Sequence, residues 1–205
     1  MRKGISVVMM VLLLAVLSLA GNFFGNPASA VNALPIQELS SEEIDGLMQM
    51  REEEKLARDV YLTLYDIWGI PTFYNISQSE QTHMDAVKAL LDKYDLEDPI
   101  KDFTIGIFSD ENLQKLYNEL VSEGQKSIVD ALKVGATIED LDIYDLDKFL
   151  EETDNKDIQL VYENLKQGSE NHMRAFVKVL EKYNASYSAQ YISPDYLSEI
   201  LGKSN

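Results

Sequence analysis

The chain contains two histidines, and one of them belongs to a pair of residues that could bind a metal ion. His83 follows Glu80 by three residues, so both side chains face the same side of a helix about one turn apart. The other positions of that face are apolar: Phe73, Ile76, Val87, Leu90 and Tyr94. A carboxylate on a core-facing stripe needs a partner or a metal ion. The pair therefore predicts a polar site inside a helical core.

Three other predicted helices also carry polar residues at the centre of an apolar stripe. These residues are Glu54, in a helix from about 41 to 68, Glu139 and Asp142, in a helical piece from about 136 to 152, and Ser169 and His172, in a helix from about 156 to 183. A short turn through Gly69 and Pro71 makes the first helix antiparallel to the helix of His83. At about 1.5 Å of rise per residue, Glu54 and His83 then stand at nearly the same height.

An internal repeat relates the two histidines. Residues 78–94 and 167–183 align without gaps, and the alignment places His83 on His172. The repeat predicts two helical hairpins related by a pseudo-twofold axis, each giving one histidine to a shared centre. The polar residues at the centres of the stripes then match the ligands of a dinuclear carboxylate site in a helix bundle. Oxygen-rich ligation with two imidazoles suits iron or manganese, and zinc stays open.

Several of these residues also have simpler interpretations. Glu54 ends an acidic run, 52–54, that could form a solvated face with Lys55 and Arg58, and Glu53 is the alternative ligand in that run. Asp142 belongs to an acidic cluster, 139–145, that could be plain surface. A single histidine is more often an ordinary core or surface residue than a ligand. Tyr61 fits the core, or a hydrogen-bonding or redox role close to a metal ion.

Composition excludes several classes of protein. The chain has no cysteine, which rules out disulfides, thiolate metal sites and iron–sulfur clusters. Its net charge of −17 disfavours nucleic acids and anionic membranes as partners and favours cations. Scarce glycine and proline favour an all-α fold. Nothing in the composition excludes a homodimer.

The first 30 residues have the pattern of a secretory signal peptide. Arg2 and Lys3 precede an apolar run from 5 to 20, and the small residues Ala28 and Ala30 predict cleavage after Ala30. The predicted protein is then secreted or extracytoplasmic, without stable membrane association; an uncleaved anchor is the alternative.

We expect a linker over 31–40, a helical bundle over 41–183, and a tail over 184–205 with a short helix opened by Ser193 and Pro194. A helix from about 110 to 134 should precede the 136–152 piece, with an interruption at Gly135 and a long connection before it.

Several of these motifs resemble the ferritin-like superfamily. The segment Glu-Lys-Leu-Ala at 54–57, with Tyr61 seven residues after Glu54, is similar to the first-helix motif of rubrerythrins. Glu-Gln-Thr-His at 80–83 is similar to their second-helix Glu-x-x-His motif, and the distance from Glu139 to His172 is close to their third-to-fourth-helix ligand spacing. The stretch from about 41 to 198 resembles a prokaryotic family called domain of unknown function 2202, through its segments 53–61, 79–84, 134–143 and 168–176.

The resemblance implies a ferritin-like four-helix bundle with ligands Glu54, Glu80, His83, Glu139 and His172, and with Asp142 as an outer candidate. It implies iron or manganese as cofactor, with ferrous oxidation or peroxide disposal as the activity. One residue departs from the pattern, because Ser169 stands where the fourth helix should carry glutamate. The serine at 169 is compatible with an asymmetric metal site, with a single-metal site, or with a coordination position that is free for water, peroxide or substrate. Two further hypotheses also stay open: a non-catalytic metal- or partner-binding bundle, and a hydrogen-bonded polar core without metal.

Overall fold

The computed structural model describes residues 26–202, and every regular element within that range is an α-helix. The predicted all-α class is therefore confirmed. Seven helices are described: α1 (Pro27–Asn32), α2 (Ser41–Trp68), α3 (Pro71–Lys93), α4 (Glu111–Gly124), α5 (Ile128–Glu152), α6 (Lys156–Lys182) and α7 (Pro194–Ile200). In that part of the chain, no helix is long and apolar enough to span a membrane.

The ends of the first hairpin follow directly from local sequence. Ser40 caps α2 by accepting a hydrogen bond from the Glu43 amide, and the Glu43 carboxylate accepts one from the Ser40 amide. Gly69 ends α2 in the left-handed conformation, with φ of 64°, which glycine adopts at little cost. Pro71 then begins α3 at a position where its missing N–H is not needed. The two-residue turn makes α2 and α3 antiparallel.

The predicted interruption at Gly135 is wrong. The chain breaks earlier, between Gly124 and Ile128, where the Ser127 side chain caps α5 by accepting a hydrogen bond from the Asp130 amide. Helix α5 then runs through Gly135 without a break. This glycine serves packing, because a Cβ atom there would lie 2.5 Å from the Phe176 ring of α6. A glycine inside a helix thus marks a close approach here and not a helix end.

Four long helices surround the interior. Helix α2 packs against α3 and α5, helix α6 packs against α5 and α3, and α4 covers α2 and α5 from outside. The buried apolar residues form two clusters, one around Tyr61, Phe73 and Phe176 and the other around Met50, Leu90 and Leu146. The polar centres of the predicted stripes fall between these clusters along the helices. The apolar core is therefore divided by a polar layer.

Both ends of the described chain are tied to the helices. Ala30 and Val31 of α1 are buried, and Lys93 donates hydrogen bonds of 2.9 Å to the carbonyls of Val31 and Leu34. In the tail, the buried Asp140 carboxylate accepts hydrogen bonds from backbone amides at 190–192. The short helix predicted after Ser193 is present as α7, with Ser193 as its cap. Most of the predicted targeting segment, residues 1–25, lies outside the described residues.

Candidate metal centre

The first group of candidate ligands joins α2 to α3. His83 Nδ1 lies 3.2 Å from Glu54 Oε2 and 2.9 Å from Glu80 Oε2. All three side chains are buried. The antiparallel hairpin brings Glu54 and His83 to the same height, as their distances from the turn predict. One ligand atom from each residue lies within 4.8 Å of the others, which is close enough for all three to bind one metal ion.

The second group joins α3 to α5 and α6. His172 Nδ1 lies 3.0 Å from Glu80 Oε1 and 3.3 Å from Glu139 Oε2. These three residues are also buried, and their ligand atoms also lie within 4.8 Å of one another. Each histidine of the repeat therefore faces two carboxylates through the same ring nitrogen. The two rings lie 5.5 Å apart between centroids, at 30°.

Glu80 belongs to both groups. Its Oε2 atom faces His83 while its Oε1 atom faces His172. A carboxylate shared in this way can bridge two metal ions, as carboxylates do in dinuclear sites of helix bundles. Each group therefore combines one histidine with the shared Glu80 and one further carboxylate.

Several buried polar atoms of this layer lack hydrogen-bond partners among the described residues. They are Glu54 Oε1, Glu80 Oε1, His83 Nε2 and His172 Nδ1. Buried polar atoms are seldom left unpaired in folded proteins, and a metal ion is one of the accepted reasons. His172 Nδ1 is close to two carboxylate oxygens without the geometry of a hydrogen bond to either. His83 Nδ1 is hydrogen-bonded to Glu54 Oε2, whereas His172 Nδ1 lies unpaired between two carboxylate oxygens, as a ligand of a metal ion would.

Burial and charge together shift the protonation of these groups. Burial raises the pKa of Glu54 well above its ordinary value, against the opposing effect of His83. Burial and the neighbouring Glu80 raise the pKa of Glu139 to about 8. Burial tends to lower the pKa of His172, but Glu80 and Glu139 raise it to about 10. The metal-free centre therefore holds protons at neutral pH, in places that a metal ion would take.

Glu80 and His83 show the same balance. Burial alone would raise the pKa of Glu80, but His172 and His83 lower it below its ordinary value. Burial tends to lower the pKa of His83, and the facing carboxylates of Glu54 and Glu80 raise it well above its ordinary range. The two imidazoles therefore favour the ionised form of Glu80.

Two residues outside the groups hold the ligands in place. Tyr61 donates a 2.5 Å hydrogen bond to Glu139 Oε1, and burial raises the pKa of this phenol well above its ordinary value. A Cβ atom at Gly168 would lie 2.5 Å from His83 Nε2, so the imidazole needs a glycine on α6. The sequence motif pointed to Tyr61. Gly168 was missed, since nothing in the sequence shows which ring it faces.

Asp142 and Ser169 lie beside the centre but outside both groups. Ser169 donates a hydrogen bond to Asp142, and Asp142 is not among the residues whose ligand atoms converge. Burial raises the pKa of Asp142 to about 6, although the Ser169 hydrogen bond acts in the opposite direction. The hydroxyl at 169 thus holds a carboxylate from the neighbouring helix, and Asp142 is an outer residue of the site.

The acidic and basic run around Glu54 is not a solvated face. Lys55 and Arg58 are buried, and both pair with the buried Asp59 at 2.6 and 2.7 Å. Lys55 also donates hydrogen bonds to the carbonyls of Thr104 and Ile107, which fixes the loop before α4. These buried ion pairs therefore belong to the wall of α2 that carries Glu54.

The fold and this site define a class: an all-helical protein whose buried carboxylates and histidines could hold a metal ion. The chain belongs to the family described as Uncharacterized protein domain (DUF2202), whose model matches residues 43–204. Uncharacterized protein MJ0754 of Methanocaldococcus jannaschii is 59% identical over 174 residues, which are 85% of this chain and 94% of that protein. A crystal structure of hypothetical protein MJ0754 from Methanococcus jannaschii DSM 2661 is similar with a TM-score of 0.81 and 60% identity, over 83% of this chain and 98% of that one. None of these names states an activity.

Proposed function

We propose that this chain is a ferritin-like metal-binding protein with a dinuclear iron or manganese centre inside a four-helix bundle. The observation that carries the proposal is the sharing of Glu80 between two carboxylate–histidine groups. Glu54 and His83 would hold one ion, Glu139 and His172 would hold the other, and Glu80 would bridge them. Oxygen and imidazole ligands suit both metals.

The proposed activity is redox chemistry on small oxygen species, either peroxide disposal or ferrous ion oxidation. The bound metal would supply a redox centre and a Lewis acid. The chain's own residues would position the two ions, hold Glu139 through Tyr61, and exclude bulk water from the polar layer. In peroxide disproportionation one peroxide is oxidised to dioxygen while a second is reduced to two waters, so no outside electron donor is needed.

A non-catalytic binding role is the second candidate, and Ser169 is the observation that favours it. The residue three positions before His172 supplies a hydroxyl that donates to Asp142, whereas Glu80, three before His83, supplies a carboxylate. The α2–α3 hairpin therefore supplies three of the candidate ligands, whereas α5 and α6 together supply two. A protein that binds metal without turnover would need no ligands beyond these.

The test is turnover of the metal-loaded protein. The chain from residue 31 onward would be loaded with ferrous or manganous ion and assayed for peroxide loss, dioxygen release and ferrous oxidation. The His83→Ala/His172→Ala double variant is the control, because it removes one ligand from each proposed position. Turnover in the wild type that is lost in the control supports the redox proposal. Bound metal without turnover supports the binding role, and absence of metal from the wild type contradicts both.

Export is a separate proposal, and it is supported by the charged, apolar and small residues of the first 30 positions. N-terminal sequencing of the chain recovered from outside expressing cells would test it. A mature terminus at Val31 is expected. Retention of the complete chain inside the cells would contradict export.

A further inference from the structure

A small cavity lies beside the metal centre, between α2, α4 and α5. Its volume is about 60 Å³, and most of its wall is aliphatic, with Leu56, Leu116, Leu120 and Leu141 among the lining residues. A water molecule occupies about 30 Å³ of liquid, and an apolar cavity of about 150 Å³ is large enough for benzene. By that comparison, this cavity has room for a molecule of about two to four non-hydrogen atoms.

Two acidic residues also line this cavity. Among the described residues of its lining, the charged ones are Glu53 and Asp142. Glu53 Oε1 accepts a 2.9 Å hydrogen bond from Gln49, whereas its Oε2 atom is buried and has no partner among the described residues. A buried oxygen without a partner favours a ligand that can hydrogen-bond to it. The cavity thus combines an apolar wall with one open hydrogen-bonding position.

The polar residues of this cavity connect it to the metal centre. Glu53 directly precedes the candidate ligand Glu54, and Asp142 follows the candidate ligand Glu139 by one helical turn. Asp142 also accepts a hydrogen bond from Ser169, which lies three residues before the candidate ligand His172. A small molecule in the cavity would therefore contact two residues that neighbour candidate ligands, although no candidate ligand is among its described lining residues.

On its outer side the cavity joins a larger groove. A groove of about 430 Å³ between α4, α5 and the tail shares Leu116, Leu120 and Thr137 with the cavity wall. Tyr191, which is 45% exposed, also lines the cavity and marks its outer side. The groove and cavity together lead from solvent to Glu53 and Asp142.

We propose that this cavity is the substrate chamber of the centre and that it selects small, uncharged molecules carrying an O–H group. Hydrogen peroxide and short alkyl hydroperoxides have that chemistry and size. The inference rests on the proposed function, which it deepens by naming the substrate class. The ring of a bulky aromatic hydroperoxide exceeds the volume of the cavity and would have to remain in the outer groove. Anions and metal ions are excluded because the aliphatic wall cannot replace their hydration.

Binding can be tested in the metal-free protein, without any turnover. Ethanol is the probe, because it is uncharged, carries an O–H and has three non-hydrogen atoms. Titration followed by methyl NMR should shift the methyl signals of Leu116, Leu120 and Leu141 to saturation. Benzyl alcohol and acetate should leave them unchanged at the same concentrations. Equal shifts with benzyl alcohol, or no shifts with ethanol, would overturn the inference.

Two variants change the cavity in opposite directions. Ala57→Leu fills it from α2, and Leu141→Ala enlarges it from α5, while neither changes a candidate ligand. The filled variant should lose the ethanol shifts, and the enlarged variant should gain shifts with benzyl alcohol. Ethanol shifts that persist in the filled variant would show that the alcohol binds elsewhere and would overturn the inference.

Turnover of the metal-loaded protein separates this inference from the function on which it rests. With excess ferrous ion as the electron donor, two ions being oxidised per peroxide, wild type should reduce hydrogen peroxide to water and ethyl hydroperoxide to ethanol and water. Both reactions should run at least tenfold faster than the reduction of cumene hydroperoxide, and Leu141→Ala should lower that ratio of rates. Equal rates with all three peroxides would overturn the size selection while leaving the redox function in place. No consumption of any peroxide would contradict peroxide disposal, and the ethanol titration would then decide for or against the cavity on its own.

Discussion

Glu80 faces His172 across the interior of the protein, with 3.0 Å between its Oε1 atom and the Nδ1 atom of the imidazole. The other oxygen of the same carboxylate is 2.9 Å from His83, which lies one turn along the same helix. One carboxylate therefore contacts both histidines of the chain. Its removal should affect two metal positions at once.

Replacement of Glu80 should lower the metal content of the protein more than replacement of any other carboxylate of the centre. Glu80→Gln keeps the shape of the side chain but removes the bridging charge, so both positions weaken. We expect metal content to fall from about two equivalents to less than one. Elemental analysis after dialysis measures this directly.

Glu54→Gln and Asp142→Asn are the matched controls for Glu80→Gln. Glu54 belongs to one group only, so its variant should keep about one equivalent. Asp142 belongs to neither group, so its variant should keep about two equivalents. Equal losses in all three variants would contradict a bridging role for Glu80.

Gly168→Ala should damage the position that contains His83. The added Cβ atom would lie 2.5 Å from Nε2 of a ring that is fully buried, so the imidazole must move. We expect metal content to fall to about one equivalent, with the ion near His172 retained. Gln167→Ala, at the exposed neighbouring residue, should retain both ions. Full metal content in Gly168→Ala would show that His83 is not a ligand.

Metal binding should release protons near neutral pH. In the metal-free protein the pKa of His172 is raised to about 10 and that of Glu139 to about 8, so both are protonated at pH 7. A metal ion must displace these protons, and its affinity should rise roughly tenfold per pH unit for each proton released. Calorimetry in buffers with different ionisation enthalpies counts the protons. Affinity that does not change between pH 6 and 8 would contradict His172 and Glu139 as ligands.

Tyr61→Phe should weaken the position that contains His172. The variant removes the hydrogen bond that holds Glu139 and leaves a buried carboxylate oxygen unpaired, which costs about 1–3 kcal/mol. Loss of a residue that orients a ligand typically lowers metal affinity about 10- to 100-fold. Metal titration and thermal unfolding of the metal-free variant measure the two effects. If both the metal affinity and the thermal stability of the variant are unchanged, Tyr61 contributes only to packing.

Helical periodicity predicted most of the site, because it depends on which residues share a face. Glu54, Glu80, His83, Glu139 and His172 stood at the centres of apolar stripes and are buried together. The α2–α3 hairpin also followed from local signals, since glycine and proline fix its turn.

Residues whose role depends on contacts between helices could not be read from the sequence. Gly135 suggested a helix break but lies inside α5, where it makes room for Phe176. Lys55 and Arg58 suggested a solvated face, but Asp59, one turn after Lys55 and directly after Arg58, pairs with both inside the protein. Periodicity shows which way a side chain faces and does not show what lies opposite it.

The central claim is a dinuclear centre, and metal content tests it most directly. The chain from residue 31 onward would be expressed with iron or manganese and analysed beside the His83→Ala/His172→Ala variant. We expect about two equivalents in the wild type and almost none in the variant, with a melting temperature that falls on chelation only in the wild type. Absence of metal from both proteins, with equal melting temperatures, would contradict the dinuclear centre.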